Sequence, residues 1–127
     1  MIHAAAKGEP YSCFVSEDTR LPFMAMPDAV RAMVSLMDAP ADRLSRVVYN
    51  INAYNPSATE FAELTRGAFP GAEISFTPDV KRQGLVHSWP AAVDDSLARA
   101  EWAWQPSHDL QRTFEEYLLP RIRDRYA

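Results

Sequence analysis

The 127-residue sequence is poor in the groups that redox, metal and phosphate chemistry use. Cys13 is its only cysteine, which excludes an internal disulfide and a cysteine-based zinc site. Glycine occurs only at positions 8, 67, 71 and 84. No Gly-x-Gly-x-x-Gly turn between a strand and a helix can be drawn from these four, and no phosphate loop. Positive charge is in the minority: 13 Lys and Arg against 17 Asp and Glu leave a formal net charge of −4, which argues against nucleic acid as the main partner. Uncharged stretches meet Pro or Ser well before the roughly 18 apolar residues of a membrane span. The opening Met1 to Ala6 lacks a basic segment followed by an apolar core. The expectation is a soluble, cytoplasmic chain with no membrane partner. His3, His87 and His108 share no ligand spacing, so no metal site is expected either.

What is present is a folding sequence. Hydrophobic residues make up 47% and charged residues 24%, close to the globular average, and the length suits one domain over residues 1–127. Ten prolines punctuate the chain into short elements, and no internal repeat or heptad run interrupts them. Met1 to Lys7 reads as the end of a helix, capped by Gly8 in the left-handed region and stopped by Pro10. Tyr11 to Val15 has strand composition, and Leu21 to Met26 reads as an extended link. From Pro27 a helix is predicted, with Val30, Met33, Val34 and Met37 at i, i+3, i+4 and i+7 as its core face. Met24, Met26, Met33 and Met37 are then core filling.

Arg46 to Ile51 has the β-branched density of a buried strand. Ser57-Ala58-Thr59-Glu60 is a capping box, followed by a helix with Phe61, Leu64 and Ala68 on its apolar side. A short strand is predicted over Glu73 to Phe76, then a long irregular stretch from Thr77 to Pro90. Asp94 or Asp95 caps a short helix, and Asp109 caps a last one with Leu110, Phe114, Tyr117 and Leu118 on one face, which Pro120 should kink or end. The fold class is α/β, with short strands, about four to five helices and no complete Rossmann domain.

The catalytic inventory is short. A Tyr-x-x-x-Lys pair, which would lower a tyrosine pKa for proton transfer with an alcohol, fails at Tyr11, Tyr49, Tyr54, Tyr117 and Tyr126. His87 beside Ser88 suggests a nucleophile and its base, but adjacent residues of an extended chain point apart and no third group orients them. Asp94 and Asp95 could pair as acid and base, although a helix N-cap accounts for them. Trp89 is the one residue singled out for a site. An aromatic before Pro90 in a long loop suits either a ligand cover or a packing role, and spacing alone leaves both open.

The order of short words along the chain adds a resemblance. Lys7-Gly8-Glu9-Pro10-Tyr11, Glu17-Asp18-Thr19-Arg20-Leu21-Pro22-Phe23-Met24 and Met26-Pro27-Asp28-Ala29-Val30-Arg31-Ala32 resemble the C-terminal region of extended short-chain dehydrogenases, the NAD-dependent epimerase/dehydratase family, and within it the NAD-dependent L-threonine 3-dehydrogenases. The same order continues through Val48-Tyr49-Asn50-Ile51, Phe76-Thr77-Pro78-Asp79, Ser88-Trp89-Pro90-Ala91, Asp94-Asp95-Ser96-Leu97-Ala98-Arg99 and Trp102-Ala103-Trp104-Gln105-Pro106, covering Lys7 to about Leu118. The Asp28 helix and the Trp104-Gln105-Pro106 turn are shared with nucleotide-sugar epimerases, whereas Ser88-Trp89-Pro90 points to threonine dehydrogenase. Two positions depart from the pattern: Ala25 stands where the family usually has Tyr, and His87 where it has an acidic residue.

The resemblance implies that a separate Rossmann part holds NAD and the catalytic Tyr and Lys, while a smaller C-terminal part closes over the amino acid. It implies a substrate-facing role for Trp89. The expected function is therefore the substrate-binding portion of an L-threonine 3-dehydrogenase-like oxidoreductase, inactive and without NAD when alone. Its expected partners are the small-molecule substrate and a Rossmann half, or a second copy joined through an uncovered apolar face. The alternatives are the C-terminal part of a nucleotide-sugar epimerase or reductase, or a non-enzymatic interaction module of the same fold.

Overall fold

The computed structural model describes all 127 residues. Seven helices and two strands alternate in it. Helix α1 spans Ile2–Lys7, β1 Tyr11–Cys13, α2 Met26–Met37, α3 Ala58–Ala68, β2 Ile74–Phe76, α4 Val80–His87, α5 Ser96–Trp102, α6 Leu110–Arg112 and α7 Leu119–Tyr126. A 3₁₀ turn covers Ala41–Arg43, and six residues of π-helix, Thr113–Leu118, join α6 to α7. The class is α/β: β1 and β2 pair in parallel with Tyr11 opposite Ile74 and Cys13 opposite Phe76, and the crossover between them carries α2 and α3.

Local chemistry explains most boundaries. Gly8 ends α1 at φ 70°, and its N–H and that of Glu9 cap the free carbonyls of Ala5 and Ala4, a left-handed cap that glycine adopts without steric cost. Both arms of the capping box form at α3: the Glu60 N–H donates to Ser57 Oγ at 3.1 Å and the Ser57 N–H to Glu60 Oε2 at 2.6 Å. The Ser57 backbone N–H, and after it the Arg20 guanidinium, hold the Glu60 carboxyl below its ordinary range. Asp109 Oδ1 accepts from the Arg112 N–H at 2.8 Å and starts the last helical run. Pro120 neither ends nor breaks that run. The chain widens into the π-helical turn just before it and continues helical to Tyr126, which accommodates a ring that cannot donate to the preceding turn.

Two small cores form. Ala32, Ala98, Trp102 and Trp104 make one, with Met24, Leu36, Tyr49 and Ile51 packed on it. Ile2, Phe114 and Ile122 make the other, with Phe61, Leu64 and Leu118 against it. Ala103, left-handed at φ 57°, turns the chain after α5 so that both neighbouring indoles are buried.

Four sequence expectations fail here, each for a packing reason. The stripe Val30, Met33, Val34 and Met37 faces outward, with Met33 58% and Met37 83% exposed. Helix α2 instead turns Asp28 and Ala32 inward, because small residues let its backbone approach the two indoles. Met26 is exposed as well, so of the four methionines only Met24 packs on a core. Arg46 to Ile51 forms no strand, and Val47 is 99% exposed; β-propensity without an adjacent sheet edge has nothing to pair with. The stretch from Thr77 to Pro90 is not irregular: α4 occupies most of it, started by Asp79 Oδ1, which accepts from the Arg82 N–H at 2.9 Å. Its mid-helix Gly84 and lack of a buried face concealed it. The strand at Tyr11 to Val15 is real but stops at Cys13.

Candidate functional site

Trp89 sits just past the end of α4, 55% exposed, with its N–H donating to the Val86 carbonyl at 3.0 Å. It is the shared wall of two concavities. One, of about 240 Å³, is lined by Asp18, Thr19, Arg20, Val86, His87, Trp89 and Ala91. The other, of about 210 Å³, is apolar and lined by Leu21, Pro22, Phe23, Trp89 and Pro90. The indole therefore separates a polar recess from an apolar one.

The opposite wall is the segment Ser16 to Phe23, and backbone pairing holds it in place. Phe23 and Tyr54 exchange hydrogen bonds at 2.9 and 3.2 Å. The N–H groups of Ala58 and Thr59 donate to the carbonyls of Thr19 and Glu17, each at 3.0 Å. Arg20 Nη1 donates to the Asn55 carbonyl at 2.7 Å and to Glu60 Oε2 at 2.8 Å. Asn55 Nδ2 in turn donates to the Ala91 carbonyl at 2.9 Å, tying the segment beyond Pro90 to the same scaffold. The cleft is thus framed by an anchored loop on one side and the end of α4 on the other, as sites placed on rigid elements require.

The other sequence candidates fall elsewhere or into structural roles. His87 and Ser88 do not meet: the Ser88 hydroxyl donates to the Leu85 carbonyl at 2.7 Å, and His87 Nε2 lies 2.5 Å from Gln83 Nε2. Asp94 Oδ1 accepts from the Ser96 N–H at 2.9 Å. Asp95 makes a two-pronged pair with Arg99 at 2.8 Å on each arm, and the Arg99 hydrogen bond holds its carboxyl below the usual range. These two carboxylates serve the start of α5. No three His, Cys, Asp or Glu side chains gather closely enough to hold a metal. No helix is long and apolar enough to cross a membrane.

The glycines do not fit NAD. Gly8 caps α1, Gly67 lies inside α3, Gly71 in the turn before β2 and Gly84 inside α4. None stands between a strand end and a helix start, where a dinucleotide's pyrophosphate is cradled. Sequence reasoning singled out Trp89, which lines both concavities, but not Gln83, because the helix that carries it was not legible.

No family model matches the chain. It is 37% identical over 110 residues to the mitochondrial L-threonine 3-dehydrogenase of Bos taurus, covering 87% of this chain and 30% of that protein. The solved GalE-like L-threonine dehydrogenase from Cupriavidus necator, in its holo form, superposes with a TM-score of 0.86 at 44% identity over 93% of this chain and 39% of the enzyme. The chain belongs to the extended short-chain dehydrogenase family. Within that family it corresponds to the C-terminal part of the threonine dehydrogenases and epimerase/dehydratases. UDP-glucuronic acid 4-epimerase from Bacillus cereus shares the fold, with a TM-score of 0.78 at 18% identity. This extended short-chain dehydrogenase chain spans 30% to 39% of these relatives' lengths.

Proposed function

We propose that this chain is the substrate-covering part of an NAD-dependent oxidoreductase acting on L-threonine. The observation that carries the reading is the contrast among relatives: identity is high with threonine dehydrogenases, whereas the UDP-sugar epimerase shares the fold with far less of the sequence. In the complete reaction the hydroxyl-bearing carbon of L-threonine gives a hydride to NAD⁺ and the hydroxyl gives up a proton, leaving 2-amino-3-oxobutanoate, NADH and H⁺. Neither transfer is assigned to this chain, which carries no fitting NAD cradle and no Tyr-x-x-x-Lys pair. Its contribution is to close over the amino acid with Trp89 and the Ser16 to Phe23 wall.

The docking partner in this reading is an NAD-binding half, on the same polypeptide or on a separate chain. Two features favour it. Only 17 of the 127 residues are buried, few for a length that would ordinarily close a substantial core. The outward stripe of α2 also presents Val30, Met33, Val34 and Met37 as neighbours on one face, and contiguous apolar surface of this kind marks an interface.

The test is complementation. The chain is combined with the N-terminal portion of the Cupriavidus necator enzyme, supplied separately, and NADH formation from L-threonine is followed. Activity that needs both parts is the expected result. Turnover of a UDP-sugar instead of L-threonine would favour the epimerase reading, and a pair that neither associates nor reacts would favour a non-enzymatic module.

A further inference from the structure

Gln83, on the inner side of α4, takes part in three hydrogen bonds that together fix the state of a neighbouring imidazole. The Ser16 backbone N–H donates to Gln83 Oε1 at 2.7 Å. A backbone amide can only donate, so this bond decides which end of the carboxamide is oxygen. Gln83 Nε2 then faces two partners, Thr19 Oγ1 at 3.0 Å and His87 Nε2 at 2.5 Å. The carboxamide nitrogen has two hydrogens and no lone pair to offer. His87 Nε2 must therefore accept, and the ring is neutral with its proton on Nδ1. Thr19 is buried and its hydroxyl is also bonded to Ser16 Oγ at 2.8 Å, which keeps Gln83 from turning away.

The Nδ1–H so produced has no protein partner, and His87 lines the polar recess beside Trp89. The charged groups on that recess are Asp18 and Arg20. Arg20 is engaged with Asn55 and Glu60, and Arg82, one turn from His87 on α4, stacks over the Phe14 ring at 5.1 Å. Arg20 is anchored to the scaffold through Nη1, and the imidazole adds to the recess a donor that has no protein partner and whose position Gln83 fixes. Resting on the reading of the cleft as a substrate site, we infer that His87 is a specificity-determining residue: a donor, held in its Nδ1–H form by Gln83, for an acceptor oxygen of the amino-acid substrate. Gln83 is the positioning residue. A site that offers a fixed donor discriminates against ligands lacking the matching acceptor more strongly than an apolar wall does.

Two measurements test this. Long-range ¹H–¹⁵N correlation spectra of the 127-residue chain at neutral pH report the protonated nitrogen of His87. The Nδ1–H form is expected in the unaltered chain, with a change to Nε2–H in Gln83→Glu, where a carboxylate must accept. An Nε2–H ring in the unaltered chain, or no change in Gln83→Glu, overturns the inference. In the complemented enzyme, His87→Phe should raise KM for L-threonine about tenfold, with His87→Asn, whose Nδ2–H stands near the lost donor, restoring most of it. If the complemented enzyme turns over L-threonine and His87→Phe leaves KM unchanged, the role of His87 is wrong while the functional reading stands. If there is no turnover of L-threonine at all, the functional reading fails and takes the ligand assigned to His87 with it.

Discussion

The Asp28 carboxylate accepts the backbone N–H of His108 at 3.0 Å across 80 positions of sequence. The same side chain, 1% exposed, also accepts from the Ser107 N–H at 3.0 Å, from Arg31 at 2.9 Å and from the His108 ring, whose Nδ1 lies 3.1 Å away. Arg31 in turn donates to the Gln105 carbonyl and stacks on Trp104 at 5.4 Å. One carboxylate thereby fastens α2 to the turn that precedes the last helices.

Burial alone would push the Asp28 carboxyl up; the hydrogen bonds from Arg31, Ser107 and His108 outweigh it and hold the group well below the usual carboxylate range. A depressed folded-state value stabilises the protein above the unfolded value of about 4, and that stabilisation is lost as pH falls through and below it. Asp28→Asn should cost about 3 kcal/mol near neutral pH. The gap in thermal midpoint between the two proteins should narrow as the pH is lowered toward about 3. Thermal scans across that range check it, and a gap that is constant with pH would show that the charge of Asp28 is not what matters.

Trp89 is half-exposed, so its removal should leave the fold nearly unchanged, within about 1 kcal/mol. In the complemented enzyme Trp89→Ala should lower kcat/KM for L-threonine by roughly 10- to 100-fold, through lost exclusion of water and looser placement of the substrate. Trp89→Phe should lie between. Kinetics and thermal midpoints on the same preparations separate a substrate role from packing. A fall of several degrees with normal kcat/KM in the folded fraction would make the indole a packing residue.

The outward stripe of α2 should govern association. Met33→Glu with Val34→Lys leaves the buried residues Asp28 and Ala32 in place, so the isolated chain should remain folded and become less prone to self-associate. The same double variant should lose complementation with the N-terminal portion. Light scattering and the NADH assay read the two effects. Full complementation by the variant would move the docking surface away from α2.

Ala103 holds a left-handed conformation, φ 57° and ψ 34°, at the end of α5. The conformation costs an alanine about 1 kcal/mol relative to glycine. Ala103→Gly should raise stability by roughly 0.5–1 kcal/mol, less the extra freedom glycine has when unfolded. Denaturant midpoints measure it, and a lower midpoint would show that the turn is held by contacts rather than by its backbone angle.

The sequence by itself determined what local chemistry decides. The Gly8 cap, the Ser57/Glu60 capping box and the Asp109 cap were legible because each depends on backbone groups within four residues. The family was legible because its words keep their order along the chain, and Trp89 was legible as a candidate because Ser88-Trp89-Pro90 is one of those words. Tertiary structure alone decided which side of α2 faces inward. Four apolar residues at helical spacing predict a buried face, but the burial went to Asp28 and Ala32, whose partners lie some 70 to 80 positions away at Trp102, Trp104, Ser107 and His108. It also decided the fate of Val47 and Val48, since strand composition needs a neighbouring edge and the fold provides none there. The polar recess was the least legible part. Gln83, Thr19 and His87 meet only because β2 pairs in parallel with β1 and brings α4 beside the Ser16 to Phe23 segment, a juxtaposition set by long-range pairing that no local pattern encodes.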